Sequence, residues 1–112
     1  MTTLYVAGPM SNLPDNNYPA FNEAAAQLRA AGFTVLNPVD VDTTGTTEDE
    51  RTWKWYMRRT LQMMLDADAI ATLPGWSASK GASIEVRVAA MLGVGEAPVA
   101  TWLAYGDEEA TA

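Results

Sequence analysis

Short uninterrupted apolar runs in this chain alternate with longer stretches in which apolar residues recur every three or four positions. The first run, Leu4-Tyr5-Val6-Ala7, closes on Gly8-Pro9 and predicts a buried parallel strand that ends in a loop. Turn formers Asn12, Pro14, Asp15, Asn16 and Asn17 occupy the loop from Met10 to Tyr18. Pro19 suits a first helical turn. Phe21, Ala24, Ala25, Leu28 and Ala31 then keep helical spacing up to Gly32, a good C-terminal stop. Phe33-Thr34-Val35-Leu36 predicts a second strand, stopped by Asn37-Pro38, and a polar loop runs from Val39 to Thr47.

Glu48-Asp49-Glu50 puts negative charge at the predicted start of a second helix. Its Trp53, Tyr56, Met57, Thr60, Leu61, Met64 and Leu65 follow the helical period as far as Asp66. Ala69-Ile70-Ala71-Thr72-Leu73 predicts the third strand, Trp76 to Lys80 a loop, and Ile84, Val88, Met91 and Leu92 the inner face of a third helix. Pro98 to Leu103 predicts a fourth strand, and Gly106 to Ala112 an acidic tail beyond a single domain over residues 1–105. Alternating strands and helices argue for right-handed crossovers with helices on both faces of the sheet. The predicted fold is an α/β, flavodoxin- or Rossmann-like three-layer sandwich with a four-stranded parallel sheet in the order 2-1-3-4. Its switch point lies between strands 1 and 3, so Gly8-Pro9-Met10 faces Trp76 to Gly81 across one crevice.

Composition narrows the chemistry. A chain of 112 residues that is 48% hydrophobic supports one core, not two domains. It has no apolar run long enough to span a bilayer, and Met1-Thr2-Thr3 leads into a strand without a charged leader, so a soluble, cytoplasmic protein is expected. The absence of Cys and His removes disulfides, thiol nucleophiles, Cys/His zinc sites and Ser-His-Asp arrangements. No metal or cofactor is expected, and acid–base work falls to Asp, Glu, Tyr or Lys. A net charge of -7 argues against a duplex nucleic-acid footprint. Arg51, Lys54, Arg58 and Arg59 nevertheless gather in one segment, and a small anion needs only one or two cations.

The stretch Leu73-Pro74-Gly75-Trp76-Ser77-Ala78-Ser79-Lys80-Gly81-Ala82-Ser83-Ile84-Glu85 concentrates the candidate chemistry. A small-residue loop opens a helix whose free N–H groups suit an anion, and Glu85 is expected in its first turn. Each candidate also has a structural reading. Glu85 would complement the helix dipole from solvent, Ser79 would cap the helix, Tyr5 would fill the core, and Gly8 and Gly81 would serve backbone geometry. Trp53, Trp55, Tyr56 and Met57, with Met63 and Met64, suit a core and a subunit interface better than a stacking platform.

Tyr5-Val6-Ala7-Gly8-Pro9-Met10, Asn37-Pro38, and Leu73-Pro74-Gly75-Trp76 followed by Ser79-Lys80-Gly81-Ala82 and Glu85 resemble DUF4406, a family of small, mostly phage-encoded proteins. That family is related to the nucleoside 2-deoxyribosyltransferases and the deoxynucleoside 5′-monophosphate N-glycosidases. The resemblance covers residues 4 to about 103. It implies a nucleotide or nucleoside as the small-molecule partner, cleavage of its N-glycosidic bond by Glu85 as nucleophile, and Tyr5 beside it. It further implies Ser79 on the 5′-phosphate, a homodimer whose partner chain helps close each pocket, and, for a phage-encoded protein, the host cytoplasm as location. Gly8, Pro9, Met10, Trp76 and Gly81 are expected to shape the substrate pocket. The relatives commonly carry an Asp on helix 2 where this chain has Thr60. Threonine hydrogen-bonds but is no carboxylic acid, so either another acid substitutes, with Asp40 and Asp42 the nearest, or catalysis is weakened. A nucleotide-binding protein without chemistry and a deoxyribosyltransferase are the alternatives.

Overall fold

A computed structural model describes residues 2–106. Four parallel strands form one sheet in the order β2-β1-β3-β4, with β1 at Thr3–Ala7, β2 at Thr34–Leu36, β3 at Ala69–Thr72 and β4 at Gly95–Pro98. The register pairs Tyr5 with Leu36 on one side and with Ile70 on the other. The central strands are buried on both faces, which explains why they read as apolar runs rather than as alternation.

Helices α1 (Tyr18–Ala30) and α4 (Val99–Tyr105) cover one face, and α2 (Trp53–Leu65) and α3 (Lys80–Met91) cover the other. Phe21, Ala24, Ala25 and Leu28 of α1 are buried against Leu4, Val6 and Val35, as the helical spacing predicts. On the opposite face Met64 of α2 and Ala82, Val86 and Ala89 of α3 meet Tyr5, Ala7 and Ile70. Because α2 and α3 each connect parallel strands, their N-termini both open at the carboxyl end of the sheet, where the crevice was expected.

Several expectations are corrected. Residues Val99 to Leu103 are helical, not a strand; β4 precedes them at Gly95–Pro98 and pairs with β3 from Ala69↔Gly95 to Thr72↔Pro98. Pro98 cannot donate to a ladder, and Val99, Trp102 and Leu103 have helical spacing that turns one side onto the core. The Trp102 indole N–H donates at 3.1 Å to both Ile70 O and Ala97 O, tying α4 to the sheet. The inner face of α3 is Ala82, Glu85, Val86 and Ala89, while Met91 and Leu92 are exposed. Small side chains let α3 lie close to the sheet and turn its larger apolar residues outward. Glu48–Glu50 forms a separate 3-10 turn with a Thr47/Glu50 capping box, and α2 begins later, capped by Thr52 accepting from Trp55 N. The acidic tail expected from Gly106 onward lies almost wholly outside the described residues.

Candidate active site

The β1–α1 loop bends through Asp15, Asn16 and Asn17, which all adopt positive φ between 51 and 59°. Asp and Asn tolerate this left-handed backbone better than other non-glycine residues. The Asn17 amide donates at 2.9 Å to the Pro9 carbonyl and pins the bend to the end of β1. Across the crevice, Gly75 takes φ 85° and the chain enters α3 at Ser79, whose hydroxyl accepts from Ala82 N at 3.3 Å. Ser79 is therefore the N-cap of α3, and it also borders the crevice.

Between these loops and α2 lies a cavity of about 370 Å³, within the range of small-molecule sites. It brings together Tyr5, Gly8, Met10, Thr60, Ser79, Gly81 and Glu85 from the residues singled out in the sequence. Three others lie outside it. Pro9 turns toward Gly75, Trp76 packs on the apolar cluster under α3, and Asp40 stands 4.0 Å from Arg29, both side chains largely exposed. Asp42 is also outside this cavity, fully exposed and accepting from Thr44 N at 2.8 Å. The structure thus brings neither of these acids into the site.

Glu85 sits in the second turn of α3, not the first, and only 5% of its surface is exposed. This is no solvated dipole-complementing acid. The Tyr5 hydroxyl, itself fully buried, donates to Glu85 Oε2 at 2.5 Å. The Thr60 hydroxyl donates to the Met57 carbonyl at 3.4 Å and borders the same cavity as the carboxylate. Burial pushes the Glu85 carboxyl up to about 7, against the opposing pull of the Tyr5 and Thr60 hydroxyls. Burial and the adjacent carboxylate push the Tyr5 phenol well above its ordinary range, so Tyr5 stays protonated and keeps donating its hydrogen bond.

Sequence reasoning missed the aromatic wall. Tyr18 and Phe21 from α1, and Trp53, Tyr56 and Met57 from α2, line the cavity, as does Arg51 just before α2. The helical period in α2 is a usable signal, because Trp53 and Met57 share one side with Thr60, yet only Thr60 on that side is expected at the site, and Trp53 and Met57 are expected in core and interface. Arg51 was visible only as one of several clustered cations. Its guanidinium donates at 3.1 Å to both the carbonyl and the hydroxyl of Thr46. Among the described residues, no cluster of three or more His, Cys, Asp or Glu side chains is placed to hold a metal, and no helix is long and apolar enough to cross a membrane.

A parallel α/β sandwich whose switch-point crevice holds one buried carboxylate belongs to the same fold as a solved 2-desoxiribosyltransferase from Leishmania mexicana. The two match with a TM-score of 0.62 and 24% identity over 88% of this chain and 63% of that one, so this chain spans less than two thirds of the enzyme's length. The chain belongs to the DUF4406 family, described as a domain of unknown function, whose profile matches residues 2–95. A search of curated proteins finds no match.

Proposed function

We propose that this protein cleaves the N-glycosidic bond of a nucleoside 5′-monophosphate, with Glu85 as nucleophile. The observation that carries the reading is the buried Glu85 carboxylate, held by the Tyr5 hydroxyl and facing a cavity of nucleotide-compatible size. A carboxylate in this setting can trap an oxocarbenium-like sugar as an ester that water then resolves. Tyr5 and Thr60 orient the attacking oxygen. Ser79 and the first turn of α3 suit the phosphate, because free N–H groups there favour an anion. The likeness to a 2-desoxiribosyltransferase from Leishmania mexicana supports transfer chemistry at a deoxyribosyl group, which makes a second base the alternative acceptor to water.

Incubation with a panel of deoxynucleoside monophosphates should release free base, and Glu85→Ala should abolish that release. Absence of release by the wild type, or equal release by the variant, overturns the proposal.

Thr60 supports a second reading, a protein that binds nucleotides without efficient chemistry, since it supplies no carboxylic acid beside Glu85. Calorimetric binding of the same nucleotides without base release is the result that reading requires. In either case we propose a cytoplasmic homodimer, assembled through the apolar side chains that α2 and α3 leave in solvent, with Leu65 56%, Met91 80% and Leu92 58% exposed.

A further inference from the structure

Among the described residues that line the cavity, Glu85 alone carries a carboxyl group, and the chain contains neither histidine nor cysteine. The other oxygen-bound protons there belong to alcohols and phenols such as Ser11, Thr43 and Tyr56. These donate hydrogen bonds, and near neutral pH an alcohol or a phenol is a far poorer general acid toward a departing base than a carboxyl group. Glu85 must itself be ionised to attack carbon, so it does not serve as the acid in the same step. The site is equipped with a nucleophile and lacks a strong proton donor for the leaving group.

That shortage selects among leaving groups. When the bond between C1′ and nitrogen breaks, its electron pair goes to the nitrogen. A neutral base then departs as an anion and needs a proton. A heterocycle with a formal positive charge, such as a pyridinium or an N7-alkylated purine, takes the pair and departs neutral. The cavity lining suits such a group, because Tyr18, Phe21 and Tyr56 are among its residues, and aromatic faces attract cations. The cavity is also polarised along α2. Trp53 and Thr60 are about 10 Å apart along the helix axis, with Arg51 beyond the Trp53 end and Glu85 beside Thr60. Arg51 has no carboxylate partner within ion-pairing distance among the described residues, although Thr46 orients it.

The geometry points to a nucleoside 5′-monophosphate with a positively charged heterocycle as the preferred substrate, its cationic ring near Glu85 and its phosphate toward Arg51 and the α3 N-terminus. The inference rests on Glu85 being the nucleophile. A Glu85 carboxylate oxygen bonds to C1′ while the C1′–N bond breaks, giving the neutral heterocycle and a glycosyl ester. Water then bonds to C1′, the ester C1′–O bond breaks with its electron pair returning to Glu85, and one water proton passes to solvent. The products are the free heterocycle, the sugar phosphate and that proton.

The test compares N7-methyl-2′-deoxyguanosine 5′-monophosphate with its unmethylated parent, each rate corrected for release without enzyme and with Glu85→Gln. The methylated nucleotide should exceed the parent in kcat/KM by about 100-fold or more, the order of the contribution of a general acid. At acidic to neutral pH, where the methylated base keeps its N1 proton and its positive charge, its rate should rise with the ionisation of Glu85. A smaller ratio overturns the inference while leaving the nucleophile in place. Release from neither substrate overturns both readings.

Discussion

Burial sets the protonation of the Glu85 carboxylate, and two hydroxyls moderate it. Burial raises its pKa to about 7, and the bond from Tyr5 is the larger of the two effects that oppose this rise. Tyr5→Phe should therefore push the pKa higher and move the acid limb of kcat/KM to higher pH, and Thr60→Val should move it in the same direction. Profiles with unmoved limbs would show that these hydroxyls do not stabilise the charged form. The same shift has a stability consequence. Between 4.5 and about 7 the folded chain holds a proton that the unfolded chain has released. The stabilising contribution is complete below the lower value and lost as pH rises through the upper one. Glu85→Gln, which still accepts from Tyr5, should then gain stability over wild type at pH ~8, by up to on the order of 3 kcal/mol, with little gain at pH ~5. Thermal melts at both pH values decide it, and an equal difference at the two would contradict the linkage.

Close approach at the scale of elements is what makes the crevice. A Cβ on Gly8 would lie 2.7 Å from the Cβ of Leu73, an atom fixed by its own backbone, so neither partner can swing aside. Gly8→Ala should cost about 1–3 kcal/mol in urea unfolding. At Gly81 the nearest atom is the Met57 thioether at 3.1 Å, on a flexible side chain, so Gly81→Ala should cost less. A cost at Gly81 equal to that at Gly8 would count against this contrast. The elements themselves were largely legible: β1, α1, α2 and β3 follow from apolar runs and helical spacing in residues such as Phe21, Leu28 and Met64. The inner face of α3 was not, because its contacts are made by Ala82 and Ala89, whose small side chains barely register in an apolar pattern, and by the ionisable Glu85. Val99 to Leu103 misled for a different reason. A short, rich apolar run fits a strand or a helix, and Pro98, expected to open a strand, in fact ends β4 and caps the start of α4. Pocket membership was legible chiefly for residues that regular elements hold, as β1 holds Tyr5, α2 Thr60 and α3 Glu85; the positions of Pro9, Trp76 and Asp40 depend on loop conformation.

For the whole molecule, the outward apolar residues near the C-terminal ends of α2 and α3 lie away from the helix starts that form the crevice. Light scattering at micromolar concentration should give twice the monomer mass, and Met91→Lys combined with Leu92→Lys should reduce it toward one chain. A monomeric mass for the wild type refutes the proposed dimer. The edges of the sheet bear on the same question. β4 is four residues long, carries Glu96 and ends on Pro98, while β2 at the other edge has only three residues. Strands this short, one of them carrying a charge and a proline, make poor templates for a neighbouring chain. The sheet is thereby finite by construction, and copies of this protein are steered away from the edge-to-edge pairing through which β-rich chains polymerise.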